Sequence, residues 1–279
     1  KKEAEEIALG LKEYFTVNDC FLYGEGPNIA SETPNGCRPV DLLYNVEESL
    51  PNMVYYALMA KDTDLLTLVD RSMATHLEFM LPDGAWDNSW GTRSFKWTYW
   101  GGRTSDGFMG GYYLMAAARH PEYLEAIRRN IRLLSKATHG GLLYGGMHYF
   151  ASGVSPCIHH TFGHAKALAS FLELPSVKMT SLEKLPRDSV YGVKFFKDIR
   201  TWLLSQGDWR ATFTGYDAEY KVKGTHPMGG ALSLLWHAQA GPIFAATMNR
   251  YKLIEAPNMQ DNVRKYLMGG TPRVESIQD

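Results

Sequence analysis

Apolar residues recur at helical spacing over residues 1–15, where Ile7, Leu9, Leu11, Tyr14 and Phe15 punctuate "KKEAEEIALGLKEYF" and predict an amphipathic helix. A loop rich in Gly, Pro and Asn follows, "YGEGPNIASETPNGCRPVD". The helical pattern returns in "LLYNVEESLPNMVYYALMAKD", where Pro51 predicts a kink or break. Asp62 or Thr63 is placed to cap the next helix, which runs to about Met80, and "LPDG" at 81–84 signals a turn. "SDGFMGGYYLMAAARH" reads as a helix with Ser105 or Asp106 as its cap. "PEYLEAIRRNIRLLSKATH" opens on Pro121, suited to a first helical position, and stops before Gly140 and Gly141. "HHTFGHAKALASFLEL" is ended by Pro175, and "SVYGVKFFKDIRTWLLSQ" reads as a further helix.

After Gly207 the pattern changes. "DWRATFTGYDAEYKV" alternates and is rich in Thr and Tyr, and "GALSLLWHAQAGPIFAATMNRY" holds two β-like runs split by "QAG". The expected fold is therefore mainly α: a helical catalytic domain over 1–206, then a β-rich segment over 207–279. Helix pairs joined by long decorated loops describe an α/α toroid or solenoid better than a closed four-helix bundle.

Composition narrows the partners. The 279-residue chain is 45% hydrophobic, ample for a sizeable core, and its 29 basic and 30 acidic residues leave a net charge of −1. That balance gives no electrostatic basis for a nucleic-acid or membrane-surface partner, and no apolar run is long enough for membrane insertion. Cys20 and Cys37 are spaced to close a loop, with Cys157 left odd, and no zinc-type cysteine spacing occurs. Oligomeric state is not legible.

The densest chemistry lies in "GAWDNSWGTRSFKWTYWGGRTSDG", residues 84–107, which holds four of the seven tryptophans. Aromatic faces stack on the apolar face of a sugar ring, and Arg clamps a carboxylate bidentately. Trp90, Trp97, Tyr99 and Trp100, flanked by Arg93, Lys96 and Arg103, therefore suit an acidic sugar; the plainer alternative is an ordered loop packed on the helices. A second cluster, "YGGMHYFASGVSPCIHHTFGHAKALA", carries His148, Tyr149, His159, His160 and His164. His160 and His164 are four apart, on one helix face, a spacing that also suits a metal ligand pair. No cofactor is expected, although calcium or zinc near the histidines stays open. Glu47 and Glu48 read as a solvated helix face for at least one of the two, and His226 comes from the β-rich segment.

Two chemistries fit these groups. A uronate lyase must neutralise the carboxylate before the C5 proton can leave, and needs a base and an acid from Tyr or His. Asn88 with Arg93 would neutralise; Tyr149, helped by His148 or His160, would move the protons. A glycoside hydrolase would instead need two carboxylates flanking the bond, for which Asp87, Asp106 and Glu25 are candidates. A third reading is a non-catalytic glycan-binding or scaffold protein.

The stretches "WDNSWGTRSFKWTYWGGRTSDG", "HYFASGVSPCIHHTFGHAKAL" and the strand pair at 229–246 resemble the heparinase II/III-like polysaccharide lyases. The resemblance implies an incomplete α/α toroid followed by a β-sandwich, with the cleft across the toroid and at its border with the sandwich. It implies that Asn88, Arg93, His148, Tyr149 and His160 are the catalytic candidates. It also implies secreted or periplasmic degradation of an acidic polysaccharide.

Overall fold

A computed structural model describes residues 2–25, 31–94, 97–98, 101–102, 109–118, 120–144, 150–151, 153, 156, 158–174, 176–177, 183–220, 227–247 and 273–274, and for a few helix and strand residues the backbone alone. The first part of the chain is helical: α1 (Lys2–Leu11), α2 (Leu42–Tyr44), a π-helical turn (Asn45–Ser49), α3 (Leu50–Ala60) and α4 (Thr63–Leu77). A two-stranded ribbon of β1 (Trp97–Thr98) and β2 (Gly101–Gly102) precedes α5 (Gly110–Ala118) and α6 (Pro121–Lys136). A second ribbon, β3 (Thr138–His139) and β4 (Leu142–Leu143), leads towards α7 (Ile158–Phe171). The remaining strands are β5 (Gly192–Phe196), β6 (Thr201–Gln206), β7 (Trp209–Thr214), β8 (Ala231–His237), β9 (Gly241–Thr247) and β10 (Arg273–Val274). They form one antiparallel six-stranded meander in the order β10-β9-β8-β7-β6-β5.

Local chemistry explains most boundaries. Asp62 caps α4 by accepting from Leu65 N at 2.9 Å, and Pro121 opens α6, where a missing N–H costs nothing. Pro51 does not break its helix. The π turn lies immediately before it, with Leu50 N–H bonded back to Asn45 O. The wider turn eases the ring of Pro51 past the preceding carbonyls, so the helix continues.

Residues 189–206 correct the helix expected there: they form a short loop and the hairpin β5–β6. The large sheet thus starts at Gly192, ahead of Gly207. The reason is visible in the register. Phe195 faces Trp202, which faces Phe213, on the outer side of the sheet, and Phe196 and Leu203 lie buried on the inner side. With both faces apolar, the period-two alternation is erased, and the segment satisfies a helical pattern equally well.

The inner face of the sheet packs on the helical part through a shared core that includes Phe21, Phe79, Trp90, Phe196, Tyr216 and Trp236. Polar ties reinforce the seam. Arg129 donates to both oxygens of Asp188 at 2.7 and 2.8 Å, Lys194 reaches Glu78 at 2.7 Å, and Trp236 Nε1 donates to Asp83 at 3.2 Å. Cys20 and Cys37 are both buried free thiols, so the loop closure their spacing allowed does not form.

Candidate functional site

The aromatic loop divides into two halves. Its first half, residues 84–94, is built into the core. At Gly84, whose φ is +97°, a Cβ would stand 2.4 Å from the carbonyl carbon of Arg129, so only glycine lets the loop cross α6 this closely. Asp87 is fully buried. Its Oδ2 accepts from Arg187 Nη1 at 2.8 Å and from the Thr212 hydroxyl, and its Oδ1 accepts from Ser89 Oγ at 2.7 Å. Ser89 continues to Ser233 at 2.9 Å, and Thr92 binds the carbonyl of Val40 through N and Oγ1, both at 3.0 Å. The loop is thereby fixed to β7, to β8 and to the segment entering α2.

Two expectations change here. Trp90 has no exposed surface, and its ring lies 4.9 Å from Phe79 and 5.7 Å from both Phe21 and Tyr216. A ring enclosed on all sides offers no face to a sugar, so Trp90 is core and not platform. Asp87, locked to Arg187, is unable to flank a scissile bond as a hydrolase carboxylate.

Arg93 stays in contention as a substrate contact, whereas Asn88 is buried. Asn88 is 1% exposed, and its Oδ1 has no hydrogen-bond partner among the described residues, an expensive arrangement for a side-chain amide. Arg93 is 8% exposed. Its guanidinium lies between two phenol rings, 4.7 Å from the centroid of Tyr44 and 4.7 Å from that of Tyr220, while Nη1 donates to Glu25 Oε1 at 2.8 Å. Burial alone would weaken its charge. Tyr44, Asp41 and Glu25 outweigh that and hold the guanidinium firmly protonated. A cavity of about 840 Å³ opens beside this cluster, sharing Glu25, Asp41 and Tyr44 with it and lined further along by Tyr14, Tyr23 and Tyr56.

Tyr44 is held by Asp41, whose carboxylate accepts from Leu43 N at 3.0 Å and Tyr44 N at 3.1 Å as the cap of α2. The π turn that follows directs Asn45 and Glu47 inward. Asn45 Nδ2 donates to Leu22 O at 2.8 Å and meets Nε2 of the buried His76 at 3.0 Å, while His76 Nδ1 lies 2.7 Å from Ser72 O. His76 therefore has a neutral tautomer with Nδ1 protonated, and burial pushes its pKa down to about 4. Glu47 is buried rather than solvated. Its Oε2 stands 3.8 Å from Nε2 of His164, which is itself 2% exposed, and burial raises the carboxyl's pKa against the opposing pull of that imidazole. The His160/His164 spacing accordingly places His164 against a carboxylate. Among the described residues no group of three His, Cys, Asp or Glu side chains gathers as a metal site.

The second half of the aromatic loop is barely described. Trp97 lies in β1, paired with Gly102 in β2, and His160 lies in α7. Lys96, Tyr99, Trp100, Arg103, His148, Tyr149 and His226, with Asp106 and Cys157, lie outside the described residues. Leu143 N donates to Thr161 Oγ1 at 2.9 Å, which ties β4 to α7 and brackets the segment that carries His148 and Tyr149. The sequence pattern missed Tyr220 and the Glu47–His164 pair. The only signal for the pair was the HxxxH spacing, and none pointed to its partner.

The family model for the ulvan lyase N-terminal domain matches residues 1–188, and that for the ulvan lyase C-terminal domain matches residues 193–279. A protein of Formosa agariphila named broad-specificity ulvan lyase is 44% identical over 286 aligned residues, covering 100% of this chain. The chain spans 44% of that relative's length. No solved structure matches the chain. With both family models fitting in tandem along it, the chain belongs to the ulvan lyase family of polysaccharide lyases.

Proposed function

We propose that this chain belongs to an enzyme that cleaves a uronate-containing polysaccharide by β-elimination, with ulvan as the first substrate to try. The observation that carries this reading is the 44% identity, along the whole of this chain, to a named ulvan lyase. The Arg93 cluster supports it. A fixed cation beside an open cavity suits an anionic glycan, and a carboxylate held against Arg93 would lose the charge that keeps the C5 proton in place, whereas Asn88, 1% exposed, is as deep as His164 and does not touch it directly. Tyr149, with His148 or His160, would take that proton and return one to the leaving oxygen. Tyr44, pressed against Arg93, is a further phenol within the same cluster. The tyrosine-lined cavity would carry the sugar chain, joined by Lys96, Trp97, Tyr99, Trp100, Arg103 and His226.

The packing of helical part on antiparallel sheet agrees with the heparinase II/III-like plan of an incomplete toroid and a β-sandwich, which we retain as the finer architectural proposal. The helical catalytic and β-rich division, secretion or periplasmic location, and the absence of a cofactor are further parts of it. No helix among the described residues is long and apolar enough to cross a membrane. The test is incubation with ulvan and a panel of other uronate glycans, following the ultraviolet absorbance of the unsaturated uronate left at the new end. Absorbance rising with chain cleavage is the expected result. New reducing ends without that absorbance would replace the lyase by a hydrolase.

A further inference from the structure

Glu47 Oε2 is the one buried carboxylate oxygen among the described residues that lacks a hydrogen bond. Its position is unusual in a second way. It sits within the π turn, a backbone form that occurs as a single widened turn and concentrates at functional sites. The same turn follows directly on Tyr44, which covers Arg93, so one short stretch of helix addresses both Arg93 and His164. His164 in turn lies one helical turn beyond His160 on α7, and α7 is fastened at Thr161 to β4, which precedes His148 and Tyr149 in the sequence. At 2% exposure His164 is too deep to touch a glycan. The pair therefore joins, beneath the surface, the π turn beside Arg93 to helix α7.

Resting on the lyase reading above, we propose that Glu47 is a positioning residue: acting through His164, it fixes the histidine-bearing helix α7 relative to Tyr44 and Arg93. A carboxylate facing an imidazole sets that ring's orientation and proton, and a widened turn is what brings Glu47 into reach without displacing the caps of α2. Were the contact mere packing, glutamine or leucine would serve at position 47 without leaving a buried carboxylate short of partners.

The experiment is steady-state kinetics on ulvan for Glu47→Gln, Glu47→Asp and His164→Asn, with melting curves for each. Glu47→Gln, nearly the same size, is expected to lower kcat by about 10–100-fold while KM moves by less than about threefold. Glu47→Asp, a poorer steric fit that keeps the charge, should retain more activity than Glu47→Gln. A purely structural role reverses that order. Glu47→Gln combined with His164→Asn should be no worse than the poorer single variant, because one coupled unit has been removed once. Full kcat in Glu47→Gln, or additive losses in the double variant, would overturn the proposal. If Glu47→Gln does not fold, His164→Asn alone decides by the same split between kcat and KM. A wild-type protein with no lyase activity would sink the lyase reading separately. Nitrogen NMR of the His164 ring would then judge the pair: a ring whose titration is the same with Glu47 and with Gln at 47 has no partner in that carboxylate.

Discussion

Asp87 and Arg187 meet at 2.8 Å with no exposure of either side chain, and both oxygens of Asp87 are hydrogen-bonded. Glu47 and His164 are nearly as deep, at 4% and 3% side-chain exposure, yet stand 3.8 Å apart with Glu47 Oε2 unbonded. The first pair fastens the aromatic loop to the sheet. The second lies between two helices that carry site residues. The lesson is that burial alone does not separate the two carboxylates; the bonding of the carboxylate oxygens does, since Arg187 too leaves its Nε unbonded among the described residues while both oxygens of Asp87 are held. A buried carboxylate bonded at both oxygens is a fastening, and one with an unbonded oxygen is a cost that packing does not require.

The largest test of that contrast is Asp87→Ala. It strands the Arg187 guanidinium in the core and should cost about 3–5 kcal/mol in chemical denaturation. A loss under about 1 kcal/mol would mean that the pair fastens nothing. Next comes His76, a third buried group, complete in its hydrogen bonds but neutral. Its native pKa of about 4 lies below the ordinary 6.5, so the unfolded chain binds its proton first as pH falls. Stability from this residue is therefore full above pH 6.5 and is lost on the way down to pH 4, by about 3 kcal/mol in all. An NMR titration that finds His76 protonating near its ordinary value would break this account. Smaller still is the stability effect of Glu47→Gln, expected within about 1 kcal/mol of wild type and free to be stabilising, since it removes an incompletely bonded charge. A loss as large as that of Asp87→Ala would erase the distinction between the pairs. The last effect is chemical and not energetic. Burial lifts the Cys37 thiol up to about 12 and raises that of Cys20, so peptide mapping after alkylation should find both unlabelled in the native protein and labelled once it unfolds.

Much of the helical part was legible because its signals are local. Asp62 as a cap and Pro121 as a first-turn residue need only the neighbouring backbone to be read. The hairpin at 192–206 was not, because its two apolar faces follow from packing on both sides of a sheet that a linear pattern does not display. Trp90 failed for a related reason. A tryptophan among charges looks the same whether its loop lies on the surface or passes through the core, and Gly84 is what lets this loop pass inward. Asn88 and Arg93 were legible as polar residues in an aromatic setting. Glu47 was not, because the direction of its side chain depends on a widened turn that sequence periodicity assumes away.

That widened turn also has a meaning in descent. A π turn amounts to one residue added to an α-helix, so the stretch 45–49 is where a single insertion or deletion would register. Removing one residue there would restore a regular helix and swing everything before it by about 100° around the axis, carrying Tyr44 off Arg93. A relative whose aligned sequence is one residue short across this stretch is therefore expected to mark a branch that has given up the Glu47–His164 contact, and lineages that keep the full count are expected to keep both residues.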